Sequence, residues 1–281
     1  MAKKIIKVSQ KKTNRSRHPE QLLSWALVVS VSTFFVLATA RCMDILVAPV
    51  EQAINLTADM SDFDRGQYYF NHGQYADGTY DLKEARKYFT RAIAADPKAN
   101  HLAWYQLGRI DFLEGRFNDA LYKFNMQQVY FGDGVPSVHY MLGLTYGYKA
   151  RRDNDAYSWR KAEEGFQTYI GFAEYSPWAR VDLAWVYFSQ GKFEEMLPIL
   201  EQGIEHHRDN PWLHNMYGLA LLNTGQKEAA RAHFELASEL ASYVTPEEWG
   251  MSYPGNDPRS WTQGLREFQE LIKKNLKLAD S

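Results

Sequence analysis

The sequence predicts an all-α protein: one transmembrane helix, a solenoid of helix–turn–helix repeats and a C-terminal capping helix. Three observations carry that expectation. Small residues return at a nearly constant step along most of the chain. An alternation of Ala and aromatic residues follows each of them. Ahead of the first repeat, a long uncharged run sits directly behind a basic tail.

Residues 1–20 hold seven basic side chains (Lys3, Lys4, Lys7, Lys11, Lys12, Arg15, Arg17) against one acid, Glu20. Leu22 to Ala40 then gives 19 residues without a charge. At ~1.5 Å per residue such a helix is about 28 Å long, close to the hydrocarbon thickness of a bilayer. The transmembrane helix is therefore placed at 21–41, with Trp25 as an interfacial anchor. Only Arg41 follows it closely, so the positive-inside rule puts the N-terminus in the cytoplasm and the repeats outside it. That is the layout of a single-pass protein of a bacterial-type inner membrane with a periplasmic domain. A second reading stays open, because Ala38-Thr39-Ala40 has the small-x-small form of a signal-peptidase site. The length of the apolar run and of the tail favours the anchor. Arg41 precedes Cys42 where a lipidated cysteine follows a small residue, which argues against a lipoprotein.

Residues 42–63 read as a juxtamembrane helix or linker with a partly apolar face (Ile45, Leu46, Val50, Ile54, Leu56). The repeats are placed at 64–240, as about 66–99, 101–134, 136–175, 177–210 and 211–240. Their small residues are Gly73, Gly108, Gly143, Ala184 and Gly218, at steps of 35, 35, 41 and 34 residues. A fixed period near 34 residues marks stacked helix pairs. The second copy is clearest: Trp104, Leu107, Gly108, then Gly115, Phe117, Ala120 and Phe124. The third copy has about seven extra residues between its halves, around Lys149 to Trp159, and the fourth has Met196 where Ala is usual. Pro97, Pro136, Pro177 and Pro211 fall where one helix ends or the next begins. Residues 241–258, with three prolines and two glycines, read as an irregular loop, its Trp249 and Tyr253 packing on the last repeat. Residues 259–281 place Trp261, Leu265, Phe268, Ile272 and Leu276 at helical spacing, an amphipathic helix that caps the open end of the array.

These motifs resemble the tetratricopeptide (TPR) repeat, over roughly residues 64–240. The resemblance implies a right-handed solenoid in which the first helix of each pair lines a concave groove. Carried over residue by residue, it places on that groove Phe70 of the first repeat and Leu102, Tyr105, Arg109 and Phe112 of the second. It adds Tyr140, Leu144 and Tyr148 of the third, Trp178, Val181, Trp185 and Phe188 of the fourth, and Trp212, Leu219 and Leu222 of the fifth. Aromatic side chains are favoured interface anchors, each buried ring contributing ~2–3 kcal/mol. The Lys, Asn and Arg set with which some TPR proteins hold the acidic tails of heat-shock chaperones is mostly missing. An apolar helix or extended segment is the better expected ligand.

Chemistry is sparse elsewhere. No nucleotide-binding glycine loop and no His-Glu-x-x-His pair occurs, and the lone Cys42 permits neither an internal disulfide nor a cysteine zinc site. His206, His207 and His214 cluster at a repeat junction, and Asp153, Asp155 and Glu164 imitate part of a calcium loop without its glycine. Both read as ordinary repeat features, so no metal and no cofactor is expected. Beyond the tail, 25 basic residues face 33 acidic ones, a net charge of −8, which disfavours nucleic acid as a partner. The sequence therefore predicts a non-catalytic, membrane-tethered scaffold or assembly factor. Its expected partners are proteins, membrane or exported, with no small-molecule substrate. A chaperone for exported proteins and a structural subunit of an envelope complex are the alternatives. A mitochondrial outer-membrane receptor shares the layout but would want the missing carboxylate-binding set.

Overall fold

The computed structural model describes residues 59–71, 79–98, 100, 102–253 and 255–280. The expected transmembrane helix, basic tail and most of the juxtamembrane segment lie outside these residues, as does Gly73. No helix among the described residues is long and apolar enough to cross a membrane. From Met60 onward the chain forms one compact unit.

Among the described residues, ten helices follow one another as five hairpins: α1 (Asp62–Tyr69) with α2 (Leu82–Ala95), α3 (Ala103–Leu113) with α4 (Phe117–Phe131), α5 (Pro136–Asp153) with α6 (Ala156–Phe172), α7 (Pro177–Ser189) with α8 (Phe193–His206), and α9 (Pro211–Asn223) with α10 (Lys227–Ala241). Proline opens α5, α7 and α9, where its missing N–H costs nothing. The tight turns inside the second, fourth and fifth hairpins pass through Gly115, Gly191 and Gly225, at φ of +72°, +72° and +85°. In the third hairpin Asn154 takes the left-handed position instead, at φ +53°.

Each hairpin is locked by one contact. A large side chain of the second helix lies flat on a small residue of the first. Phe89, Phe124, Phe166 and Phe234 are fully buried, and their rings pack on Gly66, Gly108, Gly143 and Gly218. A Cβ on those glycines would come within 2.5 to 3.0 Å of the ring. In the fourth hairpin the equivalent positions are Ala184 and Leu200, both fully buried. In the first repeat it is Gly66 that faces Phe89, so the hairpin begins earlier than its motif suggested.

Counted between partners, the small and large residues stand 16 apart in three hairpins and 23 apart in the first and third. The third absorbs its seven extra residues as helix, about two turns. α5 and α6 run to 18 and 17 residues, against 13 and 14 for α7 and α8. The first absorbs them in the connection between α1 and α2, whose ends meet through an antiparallel bridge between Phe70 and Tyr80.

The C-terminal region also differs from expectation. Residues 241–258 are not wholly irregular: they contain α11 (Pro246–Met251), opened by a capping box between Thr245 and Glu248. A single 3-10 turn (Pro258–Ser260) leads into α12 (Trp261–Asp280). α11 and α12 interlock through two reciprocal tryptophan–glycine contacts, Trp249 on Gly264 and Trp261 on Gly250. α12 packs on the fifth hairpin with Leu265, Phe268 and Ile272 buried, and Phe268 stacks on Trp212 at 4.8 Å. Leu276 is only partly buried there. Between α11 and α12 the chain leaves the cap and crosses the inner face of the array.

Candidate functional site

The inner face is built as the helical period dictates. Phe112 on α3, Tyr140, Leu144 and Tyr148 on α5, Trp178 and Val181 on α7 and Trp212 on α9 converge on one partly enclosed chamber of about 290 Å³. The repeat pattern places all seven on the groove. It does not supply the chamber's remaining walls: Asp182 of α7, and Ser252, Tyr253 and Asn256 of the crossing segment.

Within that segment Ser252, Tyr253 and Gly255 to Asp257 form a strap over the groove. Tyr253 accepts a hydrogen bond from Trp212 Nε1 at 3.3 Å and packs against Trp249 at 4.5 Å. Two residues on, Gly255 is held from the other end of the array, its carbonyl accepting from the Tyr80 hydroxyl at 2.6 Å. Its Cα lies over Phe70, Arg109 and Leu113. Two residues reach ~7 Å at most, so the array curls until its first and fifth hairpins touch neighbouring points of one segment. Gly255 has φ +86°, and a Cβ there would lie 3.0 Å from Phe70 and 3.1 Å from Arg109. Gly255→Val is expected to cost about 2–4 kcal/mol through backbone strain and overpacking. Thermal unfolding measures the loss, and limited proteolysis should cut the released strap first.

The other expected groove residues divide between packing and partial exposure. Phe70 caps α1 rather than lying on it, and it is buried. Arg109 is buried too, 4.8 Å above the Phe70 ring and 5.8 Å from the Tyr105 ring, and it donates to Gln106 Oε1 at 2.9 Å. Leu144 and Trp212 are buried, and Tyr105 leans on Phe124 at 5.9 Å. Trp185 sits between Tyr148 and Trp159, at 5.2 and 6.0 Å, and Phe188 packs on Phe193 at 5.7 Å. Phe112 and Tyr148 meet edge to face at 5.3 Å, with Tyr148 the most open of the set.

Asp182 gives the chamber its charge. Its Oδ2 accepts from the Tyr140 hydroxyl at 2.5 Å. The carboxyl is walled in by rings, its residual surface bordering the chamber, and burial pushes it up to about 6. Burial, reinforced by Asp182, holds Tyr140 well above the ordinary phenol value, and burial takes Tyr253 up to about 12. Both phenols therefore stay protonated. Asp182 had a sequence signal: it is four residues after Trp178 and three before Trp185, on the same helical stripe. The strap had none, because its contacts have no period.

Beyond Trp178, Trp212 and Ser252, which it shares with the chamber, an open cleft of about 930 Å³ lies between the turn from α8 to α9 and α11. Its rim carries the exposed Tyr243 and Met251. The histidines at this junction part company. His214 pairs with His233, 2.9 Å between their Nδ1 atoms, and with the Arg208 carbonyl, while His206 lies against Tyr175 at 4.7 Å. Burial and the neighbouring His214 lower the His233 pKa. Asp155 caps α6, and Asp153 pairs with Lys149 and Arg152. No metal-binding group of three or more His, Cys, Asp or Glu side chains forms among the described residues.

A tetratricopeptide-repeat family model matches residues 63–126 and 181–243. No curated protein matches the chain in sequence. Among solved structures, it is similar to TTC0263, a thermophilic TPR protein of Thermus thermophilus. The TM-score is 0.52 at 17% identity, over 75% of this chain and 96% of that one. It is also similar to MamA, with a TM-score of 0.52 at 21% identity, over 66% of this chain and 94% of that one. A second MamA structure gives 0.51 at 22% identity, over 58% and 90%. At these identities the likeness is one of fold. The described residues form an all-α solenoid, and its stretches 63–126 and 181–243 match tetratricopeptide repeats.

Proposed function

We propose, for a chain built of tetratricopeptide repeats, that it is a membrane-tethered scaffold binding partner proteins. In this reading the tether is the apolar run at 21–41, and the repeats stand on the extracytoplasmic side. TPR folds typically serve protein interaction. The observation that carries the reading here is the aromatic inner face and its continuation, past Trp178 and Trp212, into the open 930 Å³ cleft. An apolar partner segment has room in that cleft, and aromatic residues on such a surface are the usual anchors of binding energy. Within the chamber such a segment competes with the strap, so the cleft is the first point of contact.

The test is a mild-detergent pull-down of the full-length protein with quantitative identification of what is bound. One or a few partners near equal stoichiometry are expected. Tyr105→Ala with Trp185→Ala should release a groove-bound partner at unchanged helicity, whereas Tyr243→Ala with Met251→Ala should release a cleft-bound one. A partner retained by both folded double mutants would remove this face from the interaction. A broad, substoichiometric set of exported proteins would favour the chaperone instead.

A further inference from the structure

We propose that the chamber under the strap is a binding site for an organic ammonium group, with the Asp182 carboxylate as its counter-ion and the surrounding rings as its cage. The inference goes beyond the protein-binding reading and stands without it. It also departs from the expectation that the chain takes no small ligand.

The chamber walls supply a carboxylate and, among the described residues, no cation. They are Phe112, Tyr140, Tyr148, Trp178, Trp212 and Tyr253, with Leu144, Val181, Ser252 and Asn256 filling between them. The only hydrogen bond to the Asp182 side chain comes from Tyr140, and no ion pair reaches it among the described residues. The titratable groups that face it are the phenols of Tyr140, Tyr148 and Tyr253, all of which burial keeps neutral. Arg109, the one cation the repeat pattern places on this face, is committed to Phe70, Tyr105 and Gln106.

These facts select the ligand class. A half-buried carboxylate left without a cation costs free energy that a purely apolar occupant would not recover. An anion would be repelled. A hard metal ion wants six or more oxygen ligands, and one carboxylate among rings does not supply them. An alkylammonium head satisfies both features at once: ring faces attract its positive charge, and the carboxylate neutralises it. A volume of about 290 Å³ is at the small end of ligand pockets, enough for a head group and little more. The strap completes the enclosure, Tyr253 being the ring that the repeats do not supply.

The same chemistry is carried by a free quaternary amine and by a lysine side chain of a polypeptide. Calorimetry on the full chain therefore uses two probes, choline and Nα-acetyl-lysine amide. The control is 3,3-dimethylbutan-1-ol, which has the shape of choline without its charge. Saturable binding of at least one cation is expected, with the neutral isostere at least tenfold weaker. The tighter of the two cations identifies the source. Affinity should rise with pH through about 6 as Asp182 ionises. Asp182→Asn should weaken binding at least tenfold at unchanged helicity, and Tyr148→Leu, at an open edge of the cage, should weaken it severalfold. The proposal is overturned if neither cation saturates at millimolar concentration, if the isostere binds as well as choline, or if the folded Asp182→Asn protein binds as the parent does.

Discussion

Phe124→Ala should destabilise the protein by about 3–5 kcal/mol, the range for removing a fully buried ring. The ring is wholly excluded from solvent and lies on the backbone at Gly108, in the second of five coupled hairpins. No flexible neighbour can fill the space, because on the Gly108 side the wall is main chain. Gly108→Ala probes the same contact from the opposite side. Its new methyl would lie 2.5 Å from the ring, so overpacking should cost about 1–3 kcal/mol. In the Phe124→Ala background that methyl enters the vacated space and costs little. Denaturant unfolding of the four proteins gives the coupling directly, expected at about 1 kcal/mol or more and of compensating sign. Additive losses would show that ring and glycine do not share one contact.

Asp182→Asn should make the protein more stable at pH 7.5, by about 1–2 kcal/mol. The native carboxyl is pushed from its ordinary 3.8 up to about 6, with burial as the cause. Between those values the native state holds a proton that the unfolded state has released, so stability falls as pH rises from about 4 to about 6 and then levels off. At ~1.4 kcal/mol per pH unit the full penalty is about 3 kcal/mol. That figure is already net of the hydrogen bond from Tyr140, which the amide keeps in its weaker, neutral form. Thermal unfolding from pH 4 to 8 should show the parent losing stability across that window, with Asp182→Asn lacking this contribution. A stabilising substitution in the middle of a binding face is what a site held at the expense of the fold would show.

The hairpins were legible because their rule is local. A small residue on one helix and an aromatic on the next recur at a fixed spacing, and Phe124 and Phe234 lie where that spacing puts them, while Phe166 stands seven residues further on, past the insertion visible in the third copy. The rule misled once, in the first repeat. Seven extra residues separate Gly66 from Phe89, and Gly73 stands where an uninterrupted repeat would have its small residue. An insertion shifts register without announcing itself, and the contact of Phe89 with Gly66 is visible only in the packing. The groove stripe was legible for the same periodic reason, and Asp182 has its place on that stripe, but a place on the stripe does not show that the strap and the rings close around one acid. The strap was out of reach altogether. Its position depends on where α11 and α12 anchor, through Trp249 on Gly264 and Trp261 on Gly250, and on a hydroxyl of the first repeat.

The hydrogen bond from Tyr80 to Gly255 joins residues 175 apart in the chain. At a ribosome adding ~5–20 residues each second, the strap follows the first hairpin by roughly 10–35 s. Each hairpin can fold on its neighbour as it emerges, so the aromatic face is built up hairpin by hairpin before its cover exists. Over that interval Phe112, Tyr140, Tyr148, Trp178 and Trp212 emerge in turn, and each stays uncovered by the strap until the strap is made. The order of synthesis thus gives this protein an open form at birth that the finished chain encloses.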